Sequence, residues 1–264
     1  MKKLLTIAGS DSIGGAGIQA DIKTFSAHGC YGMSVITAVT AQNTVSVRDS
    51  QDISPYIIQA QLDAVFEDVF PDGVKIGMVS AVDTIKIIAE RLSYYKPEIV
   101  VADPVMISKS GFHLLKPEAE EVYIKYLMPL STLITPNIPE AEVLCDIAIK
   151  SHSDMETAAK KLINMGAKSV IIKGGHLDGD ADDLIFDGKE KLWLKSKRIN
   201  TKNTHGTGCT LSSALCSNLA NGMSLFNAAA KAKEYINGAI EHSLEIGSGC
   251  GPTNHFYKLF KGEN

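Results

Sequence analysis

Short apolar runs alternate along the chain with longer segments in which apolar residues recur every three or four positions. Runs such as "LLTIAG", "GVKIGMV" and "EIVVADPVM" are typical of buried strands, because they are almost continuously hydrophobic and end at glycine, aspartate or proline. The segment "SPYIIQAQLDAVFEDVF" is typical of a helix with a serine cap and a first-turn proline. The alternation predicts an α/β fold, with three α/β/α layers around a mainly parallel central sheet.

Two features complete this organisation. The segment "DDLIFDGKEKLWLKSKRI" predicts a hairpin around Asp187-Gly188. Two helices close the chain, one after Gly208 and one from Leu225 to about Leu244. Because no composition break, linker or repeat divides the sequence, we expect a single domain over residues 1–264.

Composition narrows the function classes. A net charge of −4 gives no basic field for nucleic acid or an anionic membrane, so neither is an expected partner. The apolar run at the amino terminus is too short for a signal peptide, and no stretch is long enough to span a membrane. The five cysteines are scattered without C-x-x-C spacing, which argues against a zinc site or a disulfide framework. We therefore expect a cytoplasmic protein.

Small and polar residues gather where the predicted strands end. They are Gly9, Ser10, Asp11, Ser12, Gln42, Asn43, Thr44, Gly77, Met78, Asp103, Thr135, Asn137, Lys173, Gly174, Gly175 and His176. Ligands of parallel sheets bind at the carboxyl ends of strands, so these residues predict a site there. Neither a Walker phosphate loop nor a G-x-G-x-x-G dinucleotide fingerprint is present.

The stretch "NTHGTGCTLSSALC" passes from a glycine turn, Gly206 to Gly208, directly into a predicted helix that opens at Cys209. Amides at a helix start attract anions and lower the pKa of a thiol, so Cys209 is expected to ionise readily. Phosphoryl transfer needs an anion cradle, carboxylates for magnesium, a cation and a proton acceptor. The glycine turn, Asp103 with Glu140, Lys173 and Cys209 offer these groups. Each also has a purely structural interpretation: a turn, a cap or a loop residue.

Several motifs occur together in an order that matches a known family. They are "TIAGSDSIGGAGIQADIKTFSAHGCYGMSVITAVTAQNT", "DPVMISKSG", "TPNIPEAEVL", "KGGH" and "NTHGTGCTLSSAL". Over nearly its whole length the chain resembles the ribokinase-like superfamily, and within it the hydroxymethylpyrimidine/phosphomethylpyrimidine kinases of thiamine biosynthesis. The wider superfamily carries Asp where this chain has Cys209, whereas the pyrimidine-kinase branch carries Cys.

The resemblance implies a homodimeric enzyme that uses ATP and Mg²⁺ to phosphorylate 4-amino-5-hydroxymethyl-2-methylpyrimidine and then its monophosphate. It implies catalytic roles for Cys209, Gly206, Gly208 and Lys173; substrate contacts from Gly9, Asp21, Gln42, Met78 and Val105; cofactor contacts from Asn137, Lys173, Thr207 and Gly208; and metal ligands in Asp103 and Glu140. Lys109 and Gly111 are expected in a loop that closes over the site.

Three alternatives remain open at this stage. A pyridoxine/pyridoxal kinase shares the same branch of the superfamily, although its members tend to differ around Gln42 and to lack the lysine at position 173. A cysteine hydrolase would pair Cys209 with His205. A ligand-binding regulator would keep the fold without catalysis.

Overall fold

The structure is a computed structural model, and it describes residues 1–106, 117–177 and 179–259. The strands are β1 (Lys3–Asp11), β2 (Tyr31–Gln42), β3 (Val47–Asp52), β4 (Gly73–Ile76), β5 (Val100–Ala102), β6 (Leu133–Ile134), β7 (Val170–Ile172), β8 (Asp183–Phe186) and β9 (Lys191–Leu194). The α-helices are α1 (Gly17–Ala27), α2 (Pro55–Asp68), α3 (Val82–Tyr95), α4 (Pro117–Val122), α5 (Ile138–Cys145), α6 (His152–Asn164), α7 (Thr207–Ala220) and α8 (Leu225–Glu241). A π turn (Tyr123–Leu127) and a 3-10 turn (Met128–Leu130) follow α4.

All strands join one nine-stranded sheet in the order β3-β2-β1-β4-β5-β6-β7-β8-β9. The six central strands, from β2 to β7 in that order, run parallel. At the edges, β3 pairs antiparallel with β2, β8 with β7, and β9 with β8. The α/β class and the mainly parallel sheet are thus confirmed, as is the hairpin that joins β8 to β9.

The sheet is buried on both faces, which explains why its strands have almost no polar alternation. Residues such as Ile7, Ile76 and Ala102 face a core built with α2, α3, α4, α5 and α6. Their neighbours Leu4 and Val101 face a second core built with α1, α7 and α8. Because strand side chains alternate between faces, β1, β5, β6 and β7 contribute to both cores.

Local signals fix several helix starts. Ser54 caps α2, where its hydroxyl accepts from the Ile57 amide, and Pro55 occupies the first turn. Asn137 caps α5 in a capping box with Glu140. Helix α7 begins differently, because its cap is Gly206 at φ 78°. A Cβ at Gly206 would overlap the carbonyl oxygen of Gly15, so only glycine allows this approach.

Sequence reasoning missed β3. Its sequence, "VRDSQD", is almost fully exposed and carries no apolar alternation. The strand forms because it pairs antiparallel with β2 at the edge of the sheet, where hydrogen bonding to the neighbouring backbone replaces burial as the stabilising contact. Polar edge strands of this kind resist pairing with other chains.

Two further findings bear on the composition argument. The cysteines at positions 30, 145, 209, 216 and 250 are all free thiols. Within the ranges that the structure describes, none of the helices combines the length and the apolarity needed to cross a membrane.

Two adjacent isoleucines in α2 test the packing of the larger core. Ile58 is fully buried, whereas its neighbour Ile57 is 46% exposed. We expect Ile58→Ala to lower the free energy of unfolding by about 2–5 kcal/mol, because it removes buried methylenes and leaves a cavity. The matched control Ile57→Ala should change it by less than about 1 kcal/mol. Urea denaturation measures both, and equal losses would contradict this assignment of the helix faces.

Candidate active site

A cavity of about 380 Å³ lies at the carboxyl ends of the parallel strands. Its lining includes Gly9, Asp11, Gly17, Gln42, Thr44, Met78, Asp103, Val105, Asn137, Glu140, Lys173, His205, Gly206, Thr207, Gly208, Cys209 and Cys250. The cavity therefore brings together most of the residues that the sequence singles out, from six different strand ends and from the start of α7.

A second cavity, of about 240 Å³, adjoins the first. It lies between the loop after β7 and helices α7 and α8, and includes Gly175, Lys197, Arg198 and Ile236 in its wall. Both cavities share a set of residues, namely Asn137, Lys173, Thr207 and Gly208. These are the residues predicted to contact the cofactor, so the structure places them at the junction of two binding spaces.

The start of α7 forms this junction. The first amides of a helix have no partner within the helix and carry its positive dipole end. Gly208 keeps the helix start close to charged groups: a Cβ there would lie 3.2 Å from Asp103 Oδ2 and 3.3 Å from Lys173 Nζ. The junction can therefore hold an anion between backbone amides and an ammonium group.

Three charged side chains stand beside this helix start, of which Asp103 and Glu140 are buried and Lys173 is partly buried. Lys173 Nζ lies 2.7 Å from Asp103 Oδ1 and 3.9 Å from Glu140 Oε2. Burial acts to lower the pKa of Lys173, but the two carboxylates outweigh it and raise that pKa. Burial, with a contribution from Asp103, raises the pKa of Glu140 to about 7, although Lys173 opposes the shift. Lys173 is thus protonated at neutral pH, whereas the protonation state of Glu140 changes near pH 7.

The carboxylates of Asp103 and Glu140 fit magnesium by donor chemistry. Magnesium is commonly held by one or two carboxylates together with phosphate oxygens and water. Within the described residues, no three His, Cys, Asp or Glu side chains form a group able to hold a metal ion. Phosphate oxygens and water are ligands that could complete the shell of a metal at these two carboxylates.

Cys209 lines the cavity at the first turn of α7, but its ionisation differs from the expectation. Burial raises the pKa of Cys209 to about 11, while Lys75 and the Gly17 amide act in the opposite direction. The expectation that the helix start lowers this pKa was wrong, because withdrawing the thiolate from water outweighs the helix amides. In the ligand-free protein the group is a thiol at neutral pH.

Gln42 belongs to a polar network on the opposite wall. His205 Nε2 lies 2.8 Å from Asp11 Oδ2 and 3.2 Å from Gln42 Nε2. Burial favours a neutral Asp11, but His205 and the amides of Ala16 and Ile13 lower the pKa of Asp11 overall. Since Asp11 is ionised, its carboxylate accepts a hydrogen bond from His205 Nε2–H. The Gln42 amide group then retains hydrogen-bonding capacity toward the cavity.

Four of the five predicted substrate contacts, Gly9, Gln42, Met78 and Val105, lie on the cavity wall. A Cβ at Gly9 would overlap the methyl group of Met78, so this glycine makes room for the Met78 side chain. Asp21 is different. Its side chain is fully buried, away from the wall, and is saturated by Thr6, Lys75 and Ser213. We therefore withdraw Asp21 as a substrate contact, because its oxygens are held within the protein. Lys109 and Gly111 lie outside the described residues.

Sequence reasoning named Asp11 and His205 separately but missed their pairing, because they are distant in the chain and only the folded sheet joins them. It also missed Lys75. Lys75 is fully buried in β4, directly before the loop that carries Met78. The signal for Lys75 was available, since a single charged residue stands within the apolar run "GVKIGMV".

Two cavities that meet at a helix start, beside a partly buried lysine and two carboxylates in a three-layer α/β fold, define a small-molecule kinase of the ribokinase-like class. The profile of the phosphomethylpyrimidine kinase family matches residues 11–254. The chain belongs to the hydroxymethylpyrimidine/phosphomethylpyrimidine kinase family.

Individual comparisons agree with this assignment. The chain is 50% identical to the hydroxymethylpyrimidine/phosphomethylpyrimidine kinase of Rhizobium meliloti, over 97% of this chain and 98% of the relative. The solved phosphomethylpyrimidine kinase of Clostridium difficile is 52% identical, with a TM-score of 0.83 and coverage of 91% and 100%. Bacillus subtilis pyridoxal kinase, solved as an ADP complex, is 40% identical, with a TM-score of 0.92 and coverage of 98% and 99%.

The raised pKa of Cys209 can be tested in the ligand-free protein. We expect its alkylation by iodoacetamide to accelerate about tenfold per pH unit between pH 7.5 and 9.5, because only the thiolate reacts and its fraction grows below a pKa of about 11. Peptide mass spectrometry measures the adduct at Cys209, and Cys209→Ser provides the blank. A plateau below pH 8 would show instead that the thiol ionises easily.

Proposed function

We propose that this kinase transfers the terminal phosphoryl group of ATP to the hydroxymethyl group of 4-amino-5-hydroxymethyl-2-methylpyrimidine, and then phosphorylates the monophosphate to the diphosphate, in thiamine biosynthesis. The observation that carries the proposal is the meeting of two cavities at the start of α7. The larger cavity would hold the pyrimidine and the smaller one the nucleotide, so that the reacting groups meet between Gly208 and Lys173.

The larger cavity suits an aminopyrimidine. Gln42 offers both a donor and an acceptor for the ring edge, and its amide lies beside the His205–Asp11 pair. Met78 and Val105 give the apolar surfaces that a flat ring requires, and the absence of a side chain at Gly9 leaves space for them. Small-molecule sites are usually lined by apolar side chains, and a small number of polar groups on that wall determine specificity.

In the transfer step, the substrate hydroxyl oxygen bonds to the terminal phosphorus of ATP while the bond from that phosphorus to the ADP oxygen breaks. The hydroxyl proton passes to the Cys209 thiolate, which later returns it to solvent. Amides at the start of α7, from Gly206 to Cys209, and the Lys173 ammonium stabilise the charge on the transferring group. Because Cys209 is mostly a thiol at neutral pH, we infer that turnover draws on its minor ionised fraction.

Asp103 and Glu140 would hold the magnesium ion, which supplies charge neutralisation to the phosphates when bound. Thr135 donates to Asp103 Oδ1 at 3.0 Å, and the Asn137 amide donates to Glu140 Oε2 at 2.8 Å. These bonds orient both carboxylates toward the cavity junction. Lys173 Nζ, 2.7 Å from Asp103 Oδ1, would contact phosphate oxygens bound at the junction.

A pyridoxal kinase is the second candidate. It is favoured by the close structural match to Bacillus subtilis pyridoxal kinase, at a lower identity than the pyrimidine kinases. Both candidate substrates are flat nitrogen heterocycles with a hydroxymethyl group, and both would fit the same wall. Turnover of each alcohol at the same ATP concentration separates the two functions.

The hydrolase alternative has less support. It needs His205 as a base for Cys209, but the Nε2 atom of His205 is directed at Asp11 and Gln42. The homodimer and the cytoplasmic location stay predictions. Exposed apolar side chains on β2 and in the β2–β3 turn, Tyr31, Val39 and Val45, offer a surface for a second copy of the chain.

The role of Cys209 generates the test of this proposal. We expect Cys209→Ala to lower kcat about 10²–10⁴-fold, because it removes the proton acceptor, while pyrimidine binding changes by no more than a few fold. The assay supplies pyrimidine alcohol, ATP and Mg²⁺ and separates monophosphate from diphosphate; calorimetry measures binding.

Cys30→Ala is the matched control for Cys209→Ala. Cys30 precedes β2 at the opposite end of the sheet from the cavity, so its loss should leave kcat unchanged. Full activity of Cys209→Ala would overturn the proposed proton transfer. Absence of any pyrimidine phosphate from the natural enzyme would overturn the proposed substrate.

A further inference from the structure

A fully buried ion pair lies beneath the active site. Lys75 Nζ is 2.9 Å from Asp21 Oδ2, and both side chains have no exposed surface. Asp21 also accepts from Thr6 Oγ1 at 2.6 Å and from Ser213 Oγ at 2.7 Å. Charges buried this deeply are costly, and an apolar pair of similar volume is often at least as stable. The pair is therefore a candidate for a role beyond stability.

The register between β4 and α7 places this pair below the start of α7. A Cβ at Gly73 would lie 3.1 Å from Cys216 Sγ, so α7 crosses β4 at that point. Because strand side chains alternate, positions 73, 75 and 77 all face α7. Seven helical residues, from Cys216 back to Cys209, span ~10.5 Å, which equals about three strand residues. Cys209 therefore lies over the end of β4, close to Gly77.

The Lys75 side chain reaches toward that same point. Its Nζ lies 2.7 Å from where a Cβ at Gly77 would stand. Any side chain at position 77 would displace the ammonium, so glycine leaves it room directly under the floor of the cavity. The bond from Ser213 to Asp21 ties the pair to α7 one helical turn after Cys209.

The ammonium also has unused capacity. Among the described residues, the structure gives Lys75 Nζ one hydrogen-bond acceptor, Asp21 Oδ2, for three N–H donors. Asp21 in turn shares its oxygens with Thr6 and Ser213. The pair is formally neutral, and the ammonium keeps N–H donors that Asp21 does not occupy.

Four charged groups interact electrostatically with Cys209. They are Lys75 in β4, Asp21 in α1, and Asp103 and Lys173, which follow β5 and β7. Lys75 is the strongest influence that favours the Cys209 thiolate, whereas Asp21 and Asp103 disfavour it. The strong influence of Lys75 on Cys209 agrees with the placement of Cys209 near the end of β4 that the strand and helix register gives.

We propose that Lys75, held in place by Asp21, is a positioning residue of the kinase reaction whose ammonium stabilises the negative charge on Cys209 Sγ. The inference rests on the proposed role of Cys209 as proton acceptor. In this role Lys75 exchanges no proton and contacts no substrate. It increases the fraction of Cys209 that is ionised and can accept the hydroxyl proton.

Three variants separate this role from a structural one. Lys75→Met removes the ammonium. Asp21→Asn removes the opposing carboxylate and keeps one acceptor oxygen for a hydroxyl of Thr6 or Ser213, while its NH2 can donate to the other hydroxyl. The double variant removes both charges. The readout is the rate of Cys209 alkylation by iodoacetamide at pH 9 in the ligand-free protein, followed by mass spectrometry, with thermal melting to confirm folding. Cys250, which lines the same cavity, gives an internal reference for reagent access.

We expect opposite changes in the single variants. Asp21→Asn should speed alkylation of Cys209 several-fold, and Lys75→Met should slow it at least tenfold. The double variant carries no unpaired buried charge, so it remains folded even if Lys75→Met does not, and its Cys209 should react several-fold more slowly than in the natural protein. In the double variant kcat should fall while KM for the pyrimidine stays within a few fold.

Unchanged alkylation in the double variant, or changes of the same sign in Asp21→Asn and Lys75→Met, would overturn the inference. These results are independent of kinase activity. If Cys209→Ala retained full turnover, the proposed proton acceptor would be wrong, yet the alkylation rates would still report whether Lys75 acts on the thiol.

Discussion

The site depends on a close approach of two backbone segments at the carboxyl edge of the sheet. Gly206, in the turn before α7, lies against the carbonyl of Gly15, in the turn after β1, and a Cβ on Gly206 would overlap it. A Cβ on Gly17 would likewise overlap the carbonyl of Gly9. Because no side chain separates these segments, the amides at the start of α7 lie directly between two cavities.

The close approach places the start of α7 among buried charged side chains, whose charges must be compensated. A buried helix start that binds phosphate must be matched by cations, and the chain supplies Lys173 on one side and Lys75 below. Each lysine is held by a carboxylate, Asp103 or Asp21, so that each is fixed without ligand. The same burial that strengthens these interactions raises the pKa of Cys209 to about 11. Burial thus strengthens the ion pairs of the site and disfavours the Cys209 thiolate.

The apolar pattern of the sequence is sufficient to predict the layers and the parallel sheet, because central strands buried on both faces need continuous hydrophobic runs. Strand β3 could not be predicted this way, since pairing with β2 rather than burial stabilises it. The location of Gln42, Asp103 and Lys173 directly after predicted strands correctly predicted that they share one cavity.

Two aspects of the site depend on three-dimensional surroundings that periodicity does not encode. The side chain of Asp21 points toward Lys75 and Ser213, away from the cavity, and only packing between α1, β4 and α7 shows this. The direction of the Cys209 pKa shift follows from burial, which the local sequence does not reveal.

The central claim is that the start of α7 receives the transferring phosphate. A crystal structure with Mg²⁺ and a non-hydrolysable ATP analogue tests it most directly. The account predicts the terminal phosphate within about 3 Å of the amides at residues 207–209, with Lys173 in contact with it. A terminal phosphate bound elsewhere, beyond hydrogen-bond reach of those amides, would contradict the account.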